Sequence, residues 1–180
     1  MDNKVKISCI SFLIVGIIVL SGIGLWSYQV QPKKEYLRIH IRANSNAQVD
    51  QTVKYQVKDA VVKYLTPFIA ECKTKSAAQQ MLEQRLSGIN AVADSVLRQN
   101  GFDYTAKSSV KREKFPTRVY GEHELESGFY DALIVELGDG TGDNWWCVVY
   151  PPLCFTGEGC GYVYKSKIKE IIDAFYKRRS

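Results

Sequence analysis

Histidine is scarce in this chain, with only His40 and His123 among 180 residues. A thiol nucleophile that needs an imidazole base therefore has two candidates and no more. No CxxC pair stands near a matching Cys or His pair, which excludes an ordinary structural zinc site. The stretch Gly138 to Gly142 lacks the Lys-Ser/Thr of a phosphate-binding loop, and no helix follows it. It reads as a flexible, long hairpin loop. Acidic residues show no pairing of glycosidase or metal-site kind. Asp131, Glu136, Asp139 and Asp143 fall near one end of that hairpin, where solvated loop charges account for them. Internal repeats and low-complexity segments are absent, and no residue set calls for a cofactor.

Charge is absent from one long segment. No charged residue occurs between Lys6 and Lys33, and Ile7 to Trp26 is dominated by Ile, Leu, Val and Gly. Twenty residues at 1.5 Å rise span roughly 30 Å, enough to cross the hydrocarbon core. A buried core helix would show a polar stripe, and this run offers only Ser and Gly. Lys4 and Lys6 precede it, so the positive-inside rule keeps the N-terminus cytoplasmic and puts everything after Tyr28 outside. The run exceeds a signal-peptide core, and Ser21-Gly22-Ile23-Gly24 is a poor cleavage site. The expected organisation is a transmembrane signal-anchor over 1–28, crossing at residues 7–26, a tether over 29–35, and one extracytoplasmic domain over 36–180.

Removing Lys4, Lys6 and Asp2 from the 24 basic and 19 acidic residues leaves a net charge of +4 beyond the anchor. That excess suits anionic wall polymer or lipid headgroups, but it is too small and scattered for nucleic acid. Of five cysteines, Cys9 lies in the apolar run; Cys72, Cys147, Cys154 and Cys160 would lie in an oxidising space. A disulfide among Cys147, Cys154 and Cys160 and free packed thiols both remain open.

Within the domain, Tyr36 to Arg42 alternates, with Leu37, Ile39 and Ile41 on one face and Arg38, His40 and Arg42 on the other, a half-buried strand. Ala43 to Asn46 breaks it and offers N-cap side chains. Val53, Val57, Val61, Leu65 and Phe68 mark a helix over Val49–Glu71, with a kink or break at Pro67. A second helix opens at Ser76, with Gln79 completing a capping box, and runs to Asn100-Gly101. These two form an antiparallel hairpin. Tyr104 to Lys114 reads as an edge strand, Arg118 to Leu125 as extended, and Phe129 to Leu137 as a strong strand. Trp145 to Tyr150 reads as a central strand buried on both faces. A last helix runs over Ser166–Tyr176 with Ile168, Ile171, Ile172 and Phe175 inward. The class is α+β, with a mixed or antiparallel sheet and helices on one face.

The aromatic run Trp145-Trp146-Cys147 through Tyr150-Pro151-Pro152-Leu153-Cys154-Phe155 is the stretch most suggestive of binding. Adjacent tryptophans on a strand face opposite sides, so one enters the core while the other meets another layer or a partner. Large core anchors are the alternative. The enzymatic alternative is a secreted, cell-wall-acting thiol enzyme that pairs Cys147 or Cys154 with His40 across the sheet. Against it stands burial of Cys147, which raises a thiol's pKa. A wall- or lipid-binding structural role rests on mild basicity alone.

Three blocks resemble the stage II sporulation protein R family of endospore-forming bacteria. They are Leu37 to Ser45 with Asp50-Gln51 and Val57 to Val61; Phe115-Pro116-Thr117 with Tyr120-Gly121 and Gly128 to Leu133; and Gly138-Asp139-Gly140 through Asn144 to Phe155. Together they cover residues 36–155 in the family's order. The resemblance implies a signalling protein rather than an enzyme, exported into the space between forespore and mother-cell membranes. There it would trigger a membrane-embedded aspartic protease that processes the mother-cell sigma-E precursor. On that reading the exposed members of Trp145, Trp146, Tyr150 and Phe155, with polar-face His40 and Arg42, carry the contact.

Overall fold

The computed structural model describes residues 36–120, 123–156 and 162–178. The anchor over 1–28, the tether over 29–35 and Cys160 lie outside them. No helix among the described residues is long and apolar enough to cross a membrane.

Strand β1 (Leu37–Arg42) leads into α1 (Gln48–Ile69), α2 (Lys75–Gln84) and α3 (Leu86–Gln99). Strands β2 (Ala106–Phe115), β3 (Arg118–Tyr120), β4 (His123–Leu125), β5 (Gly128–Leu137) and β6 (Asn144–Tyr150) follow, then a 3-10 turn (Leu153–Phe155) and α4 (Tyr162–Lys177). The main sheet has the order β2-β5-β1-β6, and β3 pairs with β4 separately. β1 runs parallel to β5, with Ile39 opposite Leu133, and antiparallel to β6, with Ile39 opposite Cys147. The class is thus α+β with a mixed sheet.

In α1, Val53, Val57, Val61, Leu65 and Ile69 recur every fourth residue and all are buried. Pro67 does not end it at once; the helix runs on to Ile69, and Ala70 N–H reaches Thr66 O at 3.1 Å. The expected second helix is two. Arg85, at φ −112° and ψ 8°, leaves the helical region and divides α2 from α3. α2 buries Ala78 and Leu82, and α3 buries Ile89, Ala93 and Leu97. Gly88 permits the close pass of α3 by α1, since a Cβ there would lie 2.2 Å from the Tyr64 hydroxyl oxygen. The cap of α2 is Thr74, whose side chain accepts from Ala77 N–H, and not Ser76.

Two sheet assignments differ from the sequence reading. β6 is an edge strand, and the central pair is β5 and β1. β6 looks central because Trp145 to Tyr150 is nearly all apolar, and Cys147 to Tyr150 are indeed buried; the chain doubling back through the 3-10 turn lies along its outer edge at Val148. Gly138 to Gly142 is not a hairpin loop either. β5 and β6 do not pair, so the loop passes over the end of β1, which lies between them.

The larger core lies between the sheet and the helices, where Leu37, Ile39, Ile41, Leu133, Val135 and Val149 meet the helix residues. α4 adds Ile168 and Phe175, the latter ring 5.4 Å from Tyr36 and 6.0 Å from Tyr150. A smaller cluster of Phe115, Tyr130, Ala132 and Ile134 occupies the opposite face, with Trp146 packed against it.

Candidate functional site

The second face of β1 was expected to be a polar face. It is buried: Arg38 is 0% and His40 1% exposed, and only Arg42 is half-exposed. A central strand is covered on both sides, and here the cover over the charged residues is aromatic. The Arg38 guanidinium lies 4.4 Å from the Phe115 ring centroid, 5.1 Å from Tyr130 and 5.5 Å from Tyr120. It donates to the Tyr120 hydroxyl at 2.6 Å and to Cys147 O at 3.4 Å. Cation–π contact and hydrogen bonds thus replace part of the water that burial removes, with Nη1 left without a hydrogen-bond partner among the described residues. Burial lowers the Arg38 pKa, against the opposing pull of Tyr120 and Tyr130.

His40 stacks on Trp146 with centroids 3.6 Å apart and meets Phe115 edge-on at 5.9 Å. Among the described residues neither ring nitrogen finds a hydrogen-bond partner, although Nδ1 lies 3.7 Å from Glu113 Oε1. Burial lowers its pKa; Asn144 and Glu113 oppose the shift and Arg42 reinforces it. Burial thus favours the neutral imidazole. Arg42 occupies the rim, bridging Glu113 of β2 and Glu136 of β5, the latter at 2.6 Å.

Trp145 and Trp146 face opposite sides as expected. Trp145 joins the helix-side core, with Lys58 Nζ 5.8 Å from its ring, and Trp146 joins the smaller cluster. Both are half-buried. Tyr150 and Phe155, offered as possible contact residues, are 2% and 1% exposed and belong to the core. The Tyr150 hydroxyl donates to Lys73 O at 2.7 Å, which fixes the ring internally. His40, too, is withdrawn from direct contact by the Trp146 ring over it. Cys147 and Cys154 form a disulfide with Cα atoms 6.2 Å apart. The Cys–His pair of the thiol-enzyme reading is not assembled: both sulfurs are committed to each other, and Cys147 points to the helix side while His40 points to the other.

A second cluster, which the sequence reading passed over, joins β1, α1 and the Gly138 to Gly142 loop. Asn44, Ser45 and Asn46 were expected to cap α1, but its N-cap is Ala47 and has no side-chain cap bond. Asn44 and Asn46 hold the loop instead, and Ser45 bonds Asp50. Asn44 Oδ1 accepts from Asp139 N–H at 2.9 Å, Asn46 Oδ1 from Asp143 N–H at 2.6 Å, and Asn44 O from Thr141 N–H at 3.2 Å. Asp50, 5% exposed, accepts from Ser45 Oγ at 2.5 Å, Tyr104 Oη at 2.6 Å and Asn44 Nδ2 at 3.0 Å. Burial alone would raise its pKa, yet these donors outweigh burial and lower it. Lys54, 2% exposed, donates to Gln51 Oε1 at 2.6 Å and Asp143 O at 3.0 Å, and burial lowers its pKa. The sequence signal for this cluster was the polar run Asn44-Ser45-Asn46 ahead of a helix carrying Asp50 and Lys54 on its buried stripe.

Asp131, Glu136, Asp139 and Asp143 do not come together. Asp131 pairs with Lys75 at 2.5 Å, far along β5 from Glu136, which pairs with Arg42. Among the described residues no three His, Cys, Asp or Glu side chains converge as a metal would require. The arrangement suits recognition: a half-exposed Trp146 held rigid by His40 and Phe115, with a charged rim of Arg42, Glu113 and Glu136.

Comparison with known proteins places these elements among relatives. Residues 33–159 match the model of the family described as stage II sporulation protein R. The chain is 31% identical over 176 residues to stage II sporulation protein R of Bacillus subtilis strain 168, which covers 92% of this chain and 77% of that protein. No solved structure matches it.

Proposed function

This chain belongs to the stage II sporulation protein R family, and from that premise we propose that it is an exported signal of sporulation. Its target on this reading is a membrane-embedded aspartic protease, activated from the space between forespore and mother-cell membranes to process the sigma-E precursor. The observation that carries the compartment is the Cys147–Cys154 pairing, because disulfides persist in oxidising spaces and are rare in the cytosol. The apolar run of residues 7–26 supplies the means of export.

Activation requires that the signal bind the protease's active state better than its inactive one. Trp146 and Arg42 are the best-placed groups for that contact. Trp146 is already fixed by stacking on His40 and by an edge contact to Phe115 at 4.8 Å, so binding costs little side-chain entropy. Trp145 offers a second half-exposed ring on the opposite face. His40 supports Trp146 from beneath, while Tyr150 and Phe155 belong to the helix-side core. The thiol-enzyme alternative needs Cys147 or Cys154 free and on the side of His40, and the disulfide weighs against it.

Co-expressing the full chain with the candidate protease and its precursor substrate in a non-sporulating host tests the reading. Precursor cleavage should require all three proteins. Trp146→Ala combined with Arg42→Ala, in protein that is still exported and folded, should reduce cleavage at least tenfold. Absence of cleavage with exported wild-type chain would remove the protease from the reading. Full cleavage with the double variant would move the contact elsewhere.

A further inference from the structure

The two edges of the main sheet are treated differently. Along β6 the chain doubles back, Cys154 bonds Cys147, and Val148 N–H donates to Cys154 Sγ at 3.0 Å. That edge is closed at Val148. β2 is closed only at its start, where Ala106 N–H donates to Asp94 Oδ1 of α3 at 2.7 Å and the Ser108 hydroxyl to Leu86 O at 3.1 Å. Beyond that point no strand among the described residues pairs with its outer side.

The Ala106 bond fixes the parity of the strand. An antiparallel strand turns the N–H and C=O of alternate residues to the same side. Ala106 points away from β5, so Val110, Arg112 and Lys114 point away as well. Thr105, of opposite parity, offers its carbonyl to Gly138 N–H at 3.0 Å on the inner side. Among the described residues the outer edge thus carries unpaired donors and acceptors in register, the geometry that accepts an added strand.

The side chains along it are cationic. Lys107, Lys111, Arg112 and Lys114 are exposed, and the one acid, Glu113, is engaged by Arg42. We propose that the outer edge of β2, from Val110 to Lys114, docks an extended acidic segment of a partner protein as a fifth strand. Lysines on an edge strand also guard against self-pairing. A second copy of β2 would set Lys and Arg against Lys and Arg, which is unfavourable between paired strands. The same charges that reject a copy select an acidic strand. Among the described residues this edge is open whether or not the partner is a protease.

The test uses the full chain in detergent micelles, a ten-residue peptide alternating glutamate with threonine, and a lysine–threonine peptide as control. Amide hydrogen exchange is read residue by residue. The glutamate peptide should slow exchange at Val110, Arg112 and Lys114 at least tenfold, the effect should fall with added salt, and the lysine peptide should give none. Arg112→Pro deletes one outward donor and leaves the β5 ladder intact, so it should abolish the protection. Should proline disturb the strand, Lys111→Glu with Lys114→Glu keeps the backbone and should exchange the preference to the lysine peptide. No protection, equal protection by both peptides, protection confined to other amides, or protection by the protein's own concentration would each overturn the proposal.

Discussion

At the scale of the residue, the buried basic side chains decide most. Arg38 and His40 sit on a face that alternation assigns to water, and aromatic rings take the place of the solvent. His40 gives a prediction with a definite sign. Its folded pKa is lowered by burial, with Glu113 of β2 and Asn144 of β6 opposing and Arg42 of β1 adding to the shift. Below the ordinary value of about 6.5 the unfolded chain binds a proton that the folded chain refuses. Stability is therefore complete above that pH and falls as pH drops toward the lowered value, by at most about 1.4 kcal/mol per unit. Denaturant unfolding between pH 7 and 5 should show this slope, and a His40→Phe variant should lack that share of it. An equal slope in the variant would assign the dependence to another group.

At the scale of the element, the loop between β5 and β6 bridges the end of β1 and is tied there by Asn44, Asn46 and Lys54. Gly142 lies at the tightest point. A Cβ there would stand 2.2 Å from Ser45 O, and backbone cannot yield as a side-chain tip does. Gly142→Ala should lower stability by about 1–3 kcal/mol, the usual range for overpacking. It should also open the loop to limited proteolysis between residues 138 and 143. Melting and nicking unchanged from wild type would show that the loop is not held as described.

At the scale of the whole molecule, the signalling reading requires that the domain reach the far side of a membrane. A reporter enzyme that works only outside the cytoplasm, fused after Ser180, should be active, and it should lose activity when charges are placed within residues 7–26. Activity confined to a cytoplasmic reporter would defeat the reading. The chain would then also have no ready oxidising environment for Cys147 and Cys154.

What the sequence determined by itself were the features set by local periodicity and composition. The four-residue spacing from Val53 to Ile69 dictated α1, and alternation dictated β1 and the opposite facing of Trp145 and Trp146. The blocks from Leu37 to Phe155 were enough to mark the family. Strand order, by contrast, depends on pairings between residues distant in the chain, and periodicity carries no record of them. Hydrophobicity made β6 look central, although a doubled-back turn does the covering; spacing made the Gly138 to Gly142 loop look like a hairpin, although β1 lies between its strands. Only tertiary packing could bring Phe115, Tyr120 and Trp146 over Arg38 and His40, turning a face that alternation leaves in solvent into a second core.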